Sequence, residues 1–475
     1  MYFLDLMIFV AYMLAMLGIG YYYMKKNTSQ EDYYVGGRTI GSWHIGLSVV
    51  ATDVGGGFSI GLGGLGFAMG LSGSWMLFTG LIGAWLAAVF LIPRVKSDPA
   101  FSKYFTFPQI IGHLFDSKAA TVASVICFLG YLGFTASQLL AGAKLASGTF
   151  PDLELPVALG IMGAVAVIYT VMGGLKAVIY TDTIQWIILM LGLMGIGIPA
   201  AYSYVGGWEG ITETLPPSFL SFSQLSWQDA VNWTITIVPI WFVGMTLYQR
   251  IFAARDEKSA KKAWFIAGLF EWPIMAFMGV FLGLLSRVAV EQGALDGFTA
   301  AMDPELGLPV LLRQILPAGI LGLMMSAYFS AVLSTADSCL MAASGNLVTD
   351  LLRKFITVRS HSQELRLVQG VTFGIGLLAV LLAWQRTEVL TLMLYSYGFM
   401  VSGLLVPVIA GLFFDNNNPK AAMGAMVSGG SVTAGLSFFE VGLPLGLDPN
   451  CYGILVSLSV FWTMNKLKPL KTNLL

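Results

Sequence analysis

Apolar runs long enough to cross a bilayer recur along the chain, separated by short polar and charged segments. A membrane helix needs about 20 predominantly apolar residues. Thirteen stretches are candidates: 2–24, 44–66, 71–93, 119–148, 156–173, 181–204, 231–251, 263–290, 314–346, 367–384, 389–413, 422–440 and 451–465. The first, Met1 to Tyr23, is uniformly apolar, with no basic leader and no small-residue cleavage site. It is also longer than a signal-peptide core, so it reads as a retained membrane helix. No linker or composition shift marks a second soluble domain, and residues 1–475 read as one domain.

Composition agrees with this pattern. Hydrophobic residues make up 56% and charged residues 11% of 475, whereas a soluble domain carries about 25% charged residues. So few charges cannot cover a water-facing surface of this size. A net charge of −1 points to no nucleic-acid partner. The three cysteines (Cys127, Cys339, Cys451) and three histidines (His44, His113, His361) form no disulfide framework or metal-binding spacing. With the N-terminus outside and the C-terminus cytoplasmic, the cytoplasmic segments hold 21 of the 25 Lys and Arg residues, including Arg94, Lys96, Arg250, Arg255 and Arg353. The segment 205–230 carries Glu209, Glu213 and Asp229 and no positive charge, as an outside loop should.

Two of the candidate helices are interrupted. The second reads Ala51-Thr52-Asp53-Val54-Gly55-Gly56-Gly57-Phe58-Ser59. Each glycine weakens a helix by about 1 kcal/mol relative to Ala. Backbone freed at that depth must line a cavity or be buried in protein. Glycines in a packing seam would be spaced by four; these are contiguous and follow an acid, which favours a break lining a site. The seventh candidate has a weaker counterpart at Pro239–Gly244. One broken helix in each half points to a transporter built from inverted repeats with a midplane site. The spacing suits a five-plus-five arrangement, 44–204 and 231–413, with an extra helix at 2–24 and C-terminal helices at 422–465.

Acids inside membrane helices are expensive, at about 2.5–3.5 kcal/mol on insertion scales. Asp53 sits at the glycine break. Asp337 lies in Ser330–Ser338, where Ala331, Ser334, Thr335 and Ser338 share one helical face. Hydroxyls, carboxylates and freed carbonyls are hard oxygen donors, suited to an alkali cation rather than a transition metal. The competing reading is Ser and Thr bonding back to their own helix. Asp182, six residues after Lys176, reads equally well as a boundary acid or as part of an ion relay or gate.

These segments resemble the sodium:solute symporter family over nearly all of 1–465. Gly173–Gln185 resembles the family signature, Ala331–Ser338 and Ala51–Gly61 resemble family stretches, and Arg250–Ala254 also fits. The resemblance implies an all-α membrane protein of the LeuT type, with about 13 transmembrane helices and alternating access. It implies a sodium site formed by Ala51, Val54, Ala331, Ser334 and Thr335. It also implies a second sodium site at Asp182, Ser334, Asp337 and Ser338, where Asp337 replaces a hydroxyl. On the alignment with proline-type members, Phe134, Gln138 and Trp241 join Asp53, Gly55, Gly56, Gly57 and Ser59 around the substrate. The choline-type aromatic cage is only partly present, because Asp53 stands where an aromatic is expected.

The expected function is sodium-coupled uptake of a small organic solute across a bacterial inner membrane. A proline-type amino acid comes first, then a monocarboxylate, then a quaternary amine. Partners are the substrate, sodium and the bilayer, with no obligate protein partner inferred. A sensor or channel on the same fold is the rival from another class. An enzyme is disfavoured, because no His-Glu zinc motif and no Ser/His pair on facing helices occurs.

Overall fold

The computed structural model describes residues 3–26, 35–150, 152–295, 297–356, 361–439 and 442–467. Among these the architecture is all-helical, and the only β pairing is an isolated bridge between Ile40 and Ala254. The principal helices are α1 (Phe3–Lys26), α2 (Ser42–Met69), α3 (Trp75–Leu86), α4 (Ser117–Thr149), α5 (Leu155–Gly192), α6 (Trp227–Val243) and α7 (Met245–Ala253). They continue with α8 (Glu257–Phe270), α9 (Phe277–Glu291), α10 (Pro304–Ile315), α11 (Ile320–Gly345), α12 (His361–Trp384), α13 (Val389–Phe413), α14 (Pro419–Phe438) and α15 (Pro449–Leu467). Seven helical stretches among the described residues are long and apolar enough to cross a membrane, or eight if the bent pair α6–α7 is one span. Two shorter apolar helices, Phe3–Ile19 and Leu155–Val171, add to them.

Several boundaries differ from the sequence reading. The stretch 314–346 begins too early, because Leu316–Gly319 separates α10 from α11. Pro317 and the positive φ of Gly319 (88°) account for that interruption. The bend in the seventh stretch falls at Gly244, where α6 and α7 meet at 42°, rather than across Pro239–Gly244. The fifth and sixth stretches, 156–173 and 181–204, share the helical run α5, Leu155–Gly192, and remain two arms of it. The hydroxyls of Tyr169 and Thr181 lie 3.4 Å apart. Twelve residues of straight helix span about 18 Å, so the chain reverses between these two residues. Gly173, Gly174 and the side chains of Lys176 and Ala177 in the signature stretch lie outside the described residues. The same holds for the side chains of Lys25, Lys26, Arg359, Lys468 and Lys471, assigned above to the cytoplasmic side.

Polarity is arranged as a bilayer demands. Phe373, Leu377 and Leu381 on α12 and Leu455, Leu458 and Trp462 on α15 are exposed, while α11 is buried along nearly its whole length. Charged and hydroxyl side chains collect in the interior, where protein rather than lipid meets them. α2 packs against α4, α5, α8, α9, α10 and α11 and forms the centre of the molecule. Its later glycines make a close seam with α9: a Cβ on Gly66 would strike the Val280 carbonyl, and one on Gly283 would strike the Gly63 carbonyl. Small residues permit such backbone approach between membrane helices. At the periphery, the buried Asp5 of α1 accepts from the N–H groups of Gly319 (2.7 Å) and Gly322 (2.9 Å). It thereby satisfies donors at the start of α11 that the helix itself leaves unpaired.

Candidate ion and substrate site

The break in α2 is localised. Gly55 has φ 38° and ψ −162°, a conformation that glycine adopts readily and other residues do not. Two neighbours fill the space a side chain would need: a Cβ at Gly55 would lie 2.5 Å from Thr335 Oγ1 and 2.9 Å from Gln138 Oε1. The interruption therefore brings together α2, α4 and α11.

Helix α4 caps both interruptions from one face. Gln138 Oε1 accepts from the N–H of Gly56 at 2.9 Å. Two turns earlier, Tyr131 Oη accepts from the N–H of Thr246 at 3.0 Å, just past the bend at Gly244. Phe134 lies between them at helical spacing. Its ring meets Tyr397 of α13 edge-to-face at 4.8 Å, and the Tyr397 hydroxyl donates to Asp53 Oδ1 at 3.2 Å. Tyr131 and Tyr397 were missed in the sequence. Each lies in an apolar helix where nothing local distinguishes a tyrosine that caps a break from one that packs.

On α11, Thr335 Oγ1 donates to the carbonyl of Ala51 at 2.9 Å and lies 3.3 Å from the carbonyl of Ala331. Three of the sequence-predicted sodium ligands thus converge on one point beside the break. They are hard oxygens, the chemistry that suits an alkali cation. Ser334 points elsewhere and donates to Asp182 Oδ1. The side chain of Val54, predicted here, and Gly57 and the side chain of Ser59, predicted at the substrate, lie outside the described residues.

The residues of the second predicted sodium site are divided between two networks. Asp182 accepts from Ser334 and from Ser48 (2.5 Å) and lies 3.5 Å from the guanidinium of Arg250. Arg250 is fully buried, not in a cytoplasmic segment as its charge implied. It donates to Ser48 (3.0 Å), Ser338 (3.0 Å), Thr52 and the Thr246 carbonyl (3.2 Å). Asp182 and Ser338 are therefore joined through a resident cation. Asp337 instead accepts from Thr170 of α5, and its other carboxyl oxygen has no partner among the described residues. Trp241 also stands apart from Phe134 and Gln138 in its described contacts. Its ring packs on Trp264 at 6.5 Å and fills the space beside Gly83.

Towards the C-terminal end of α2 from the break, a cavity of about 450 Å³ is lined by residues including Gly61, Gly64, Asp303, Glu305, Leu390 and Thr391. The buried Lys144 of α4 bonds both Asp303 and Glu305. Glu305 in turn accepts from the N–H groups of Val389 and Leu390, both at 3.1 Å, at the start of α13.

Residues 33–429 match the family model described as the sodium:solute symporter family. The chain belongs to the sodium:solute symporter family. The chain is similar to the osmoregulated proline transporter OpuE of Bacillus subtilis (strain 168), 27% identical over 90% of this chain and 88% of its own length. The high-affinity proline transporter PutP of the same organism is 26% identical over 89% and 91%. The sodium/glucose cotransporter of Vibrio parahaemolyticus is 26% identical over 96% and 89%. Among solved structures, a Na⁺-coupled sialic acid symporter in a substrate-bound outward-open state superimposes with a TM-score of 0.79 over 98% of each chain, at 23% identity. Mhp1, a nucleobase-cation-symport-1 family transporter, does so at 0.60 over 94% of this chain and 97% of its own, at 13% identity. The symporter is thus an all-helical, multi-pass membrane transporter that couples solute uptake to sodium, and not an enzyme.

Proposed function

We propose that this symporter takes up a proline-type amino acid with sodium by alternating access. The observation carrying the reading is the convergence of the Ala51 and Ala331 carbonyls on the Thr335 hydroxyl beside the Gly55 break. Sodium bound there by Ala51, Val54, Ala331, Ser334 and Thr335 would hold α2 against α11. Ion occupancy would then bias the equilibrium between outward- and inward-facing forms. Each sodium entering down the potential releases about 2.3 kcal/mol per 100 mV. The repeats are 44–204 and 231–413 within about thirteen crossings, in a bacterial inner membrane with the N-terminus outside.

The substrate rests beside the break, with Asp53, Gly55, Gly56 and Phe134 around it and Tyr397 added to the set. A carboxyl and two aromatic rings suit a small molecule with a positive amine and an apolar body. A sugar would need a fuller ring of hydrogen-bonding side chains, and Gln138 Oε1 is already engaged by Gly56. The two proline-transporting relatives support the same choice. Counterflow in proteoliposomes loaded with proline, a monocarboxylate or choline tests it. Proline exchange that requires sodium is expected. Sodium-dependent exchange of choline or the monocarboxylate, with none of proline, would overturn the substrate choice.

A further inference from the structure

The end of the bundle that gathers the basic loops carries a cavity apart from the ion and substrate site. Arg38 donates to the Tyr104 carbonyl at 2.8 Å, Lys96 donates to the Ala254 carbonyl at 2.7 Å, and Ile40 pairs with Ala254. These contacts place the segments holding Arg38, Lys96, Lys103 and Arg255 at one end, which the excess of positive charge marks as cytoplasmic. The cavity, of about 750 Å³, lies between residues 103–105, the short helix Phe107–Leu114, the start of α4 and the π-helical turn Asn346–Leu351 that follows α11. Lys103, His113, Arg353 and Lys354 line it, against one carboxyl, Asp350. The four basic side chains are exposed, whereas Asp350 is buried, accepts from Thr106 Oγ1 at 3.1 Å and has Gln109 beside it. The carboxyl therefore belongs to the wall, and the cations to the opening. Lys354 Nζ is held by Thr121 Oγ1 of α4 at 2.5 Å.

The cavity sits at the membrane boundary. Ser117, which also lines it, opens the apolar stretch Ser117–Thr149, and Lys354 closes the stretch Ile320–Lys354; each is long enough to span. Beside Lys354, Phe355 is 85% and Ile356 43% exposed. Cations converging next to exposed apolar side chains at this level match a lipid, whose phosphate and acyl chains meet there. We propose that the cavity seats the phosphate of an anionic phospholipid of the cytoplasmic leaflet on Lys103, Arg353 and Lys354. The Arg353 guanidinium offers a planar pair of N–H donors to the phosphate, and the two lysines act as point charges. A lipid bound there ties the end of α11, the helix of Thr335, to the start of α4, the helix of Gln138. The choice of leaflet rests on the orientation given under the proposed function; the binding chemistry does not.

The test is native mass spectrometry of the delipidated full-length protein titrated with dioleoylphosphatidylglycerol or dioleoylphosphatidylcholine. The first lipid bound by wild type is expected to favour phosphatidylglycerol by about tenfold or more. Replacing Lys103, Arg353 and Lys354 together by Gln should abolish that preference. Replacing Lys258, Lys261 and Lys262 of α8 by Gln, which removes the same charge from the same end, should preserve it. Lys103→Gln and Arg353→Gln alone, from separate segments, should each lose part of it, and they carry the test should the triple variant fail to fold. No headgroup preference in wild type, a preference that survives in the cavity variants, or equal loss in both triple variants overturns the site. Bound phosphatidylglycerol is expected to persist in excess inorganic phosphate; displacement would assign the cavity to a soluble anion and overturn the lipid. Ser117→Cys should react with an impermeant maleimide only from the cytoplasmic side of membrane vesicles. Labelling from the outside would overturn the orientation, a failure distinct from loss of the site and from loss of sodium-driven uptake.

Discussion

At the scale of single residues, the charged interior is decided by pairing. Arg250 and Asp182 are both fully buried and share Ser48. Removing one member of a buried ion pair strands the other, at about 3–5 kcal/mol. Arg250→Met is therefore expected to lower thermal stability strongly, and Asp182→Asn combined with it to recover part of the loss. A double-mutant cycle by thermal unfolding measures this, and additive effects would count against a shared network. The same cycle between Asp182 and Asp337 should show weaker coupling, because Asp337 bonds Thr170 instead. In the proposed substrate wall, Tyr397→Phe keeps the ring against Phe134 but removes the donor to Asp53. Apparent substrate affinity should fall by about tenfold, since a hydrogen bond to a charged group contributes about 1.5–3 kcal/mol. An unchanged half-saturation constant for uptake would remove Tyr397 from the site. Residue types in a rare context were legible in the sequence: Asp53, Asp182, Asp337 and the Ser/Thr face of α11. Arg250 was misread, because positive charge near a helix end ordinarily marks the cytoplasmic side.

At the scale of helices, breaks and latches set the geometry. The glycine run in α2 was legible as an interruption, and the structure divides its labour. Gly55 makes the break, while Gly63 and Gly66 make the seam with α9. Gly55→Ala would force positive φ on a side chain, costing about 1–2 kcal/mol, and press it on Thr335 and Gln138. Transport is expected to be lost even in correctly folded, monodisperse protein; near-normal sodium-driven uptake would show that the break is dispensable. Lys144 links α4 to Asp303 and Glu305, and Glu305 caps α13. Lys144→Ala should therefore destabilise the protein by about 3–5 kcal/mol, less so when Glu305→Gln accompanies it. Differential scanning fluorimetry reads both variants. The reversal within α5 falls in the gap that the sequence left between 156–173 and 181–204, whereas the interruption at Leu316–Gly319 was harder to place. Apolar residues continue across Leu316–Gly319, and only the packed partner reveals where the chain turns there.

For the molecule as a whole, composition and the recurrence of apolar stretches were enough to imply a helical membrane protein. The resemblance of three ordered segments was enough to imply the family, and the family model across 33–429 bears that out. Inter-helix pairing was not legible, because which oxygen meets which cation depends on helices being brought together from distant parts of the chain. The break at Gly55 joins α2, α4 and α11 into one unit through Thr335 and Gln138. Sodium coupling at this unit is most directly tested by initial rates of labelled proline uptake into proteoliposomes over a range of sodium concentrations, for wild type and Thr335→Ala. Wild type should accumulate proline under an inward sodium gradient and not under an equal potassium gradient. Thr335→Ala should need about tenfold more sodium for half-maximal uptake, the equivalent of about 1.4 kcal/mol from one lost ligand. Uptake that ignores the sodium gradient, or a Thr335→Ala protein with wild-type sodium dependence, would contradict sodium binding at the break.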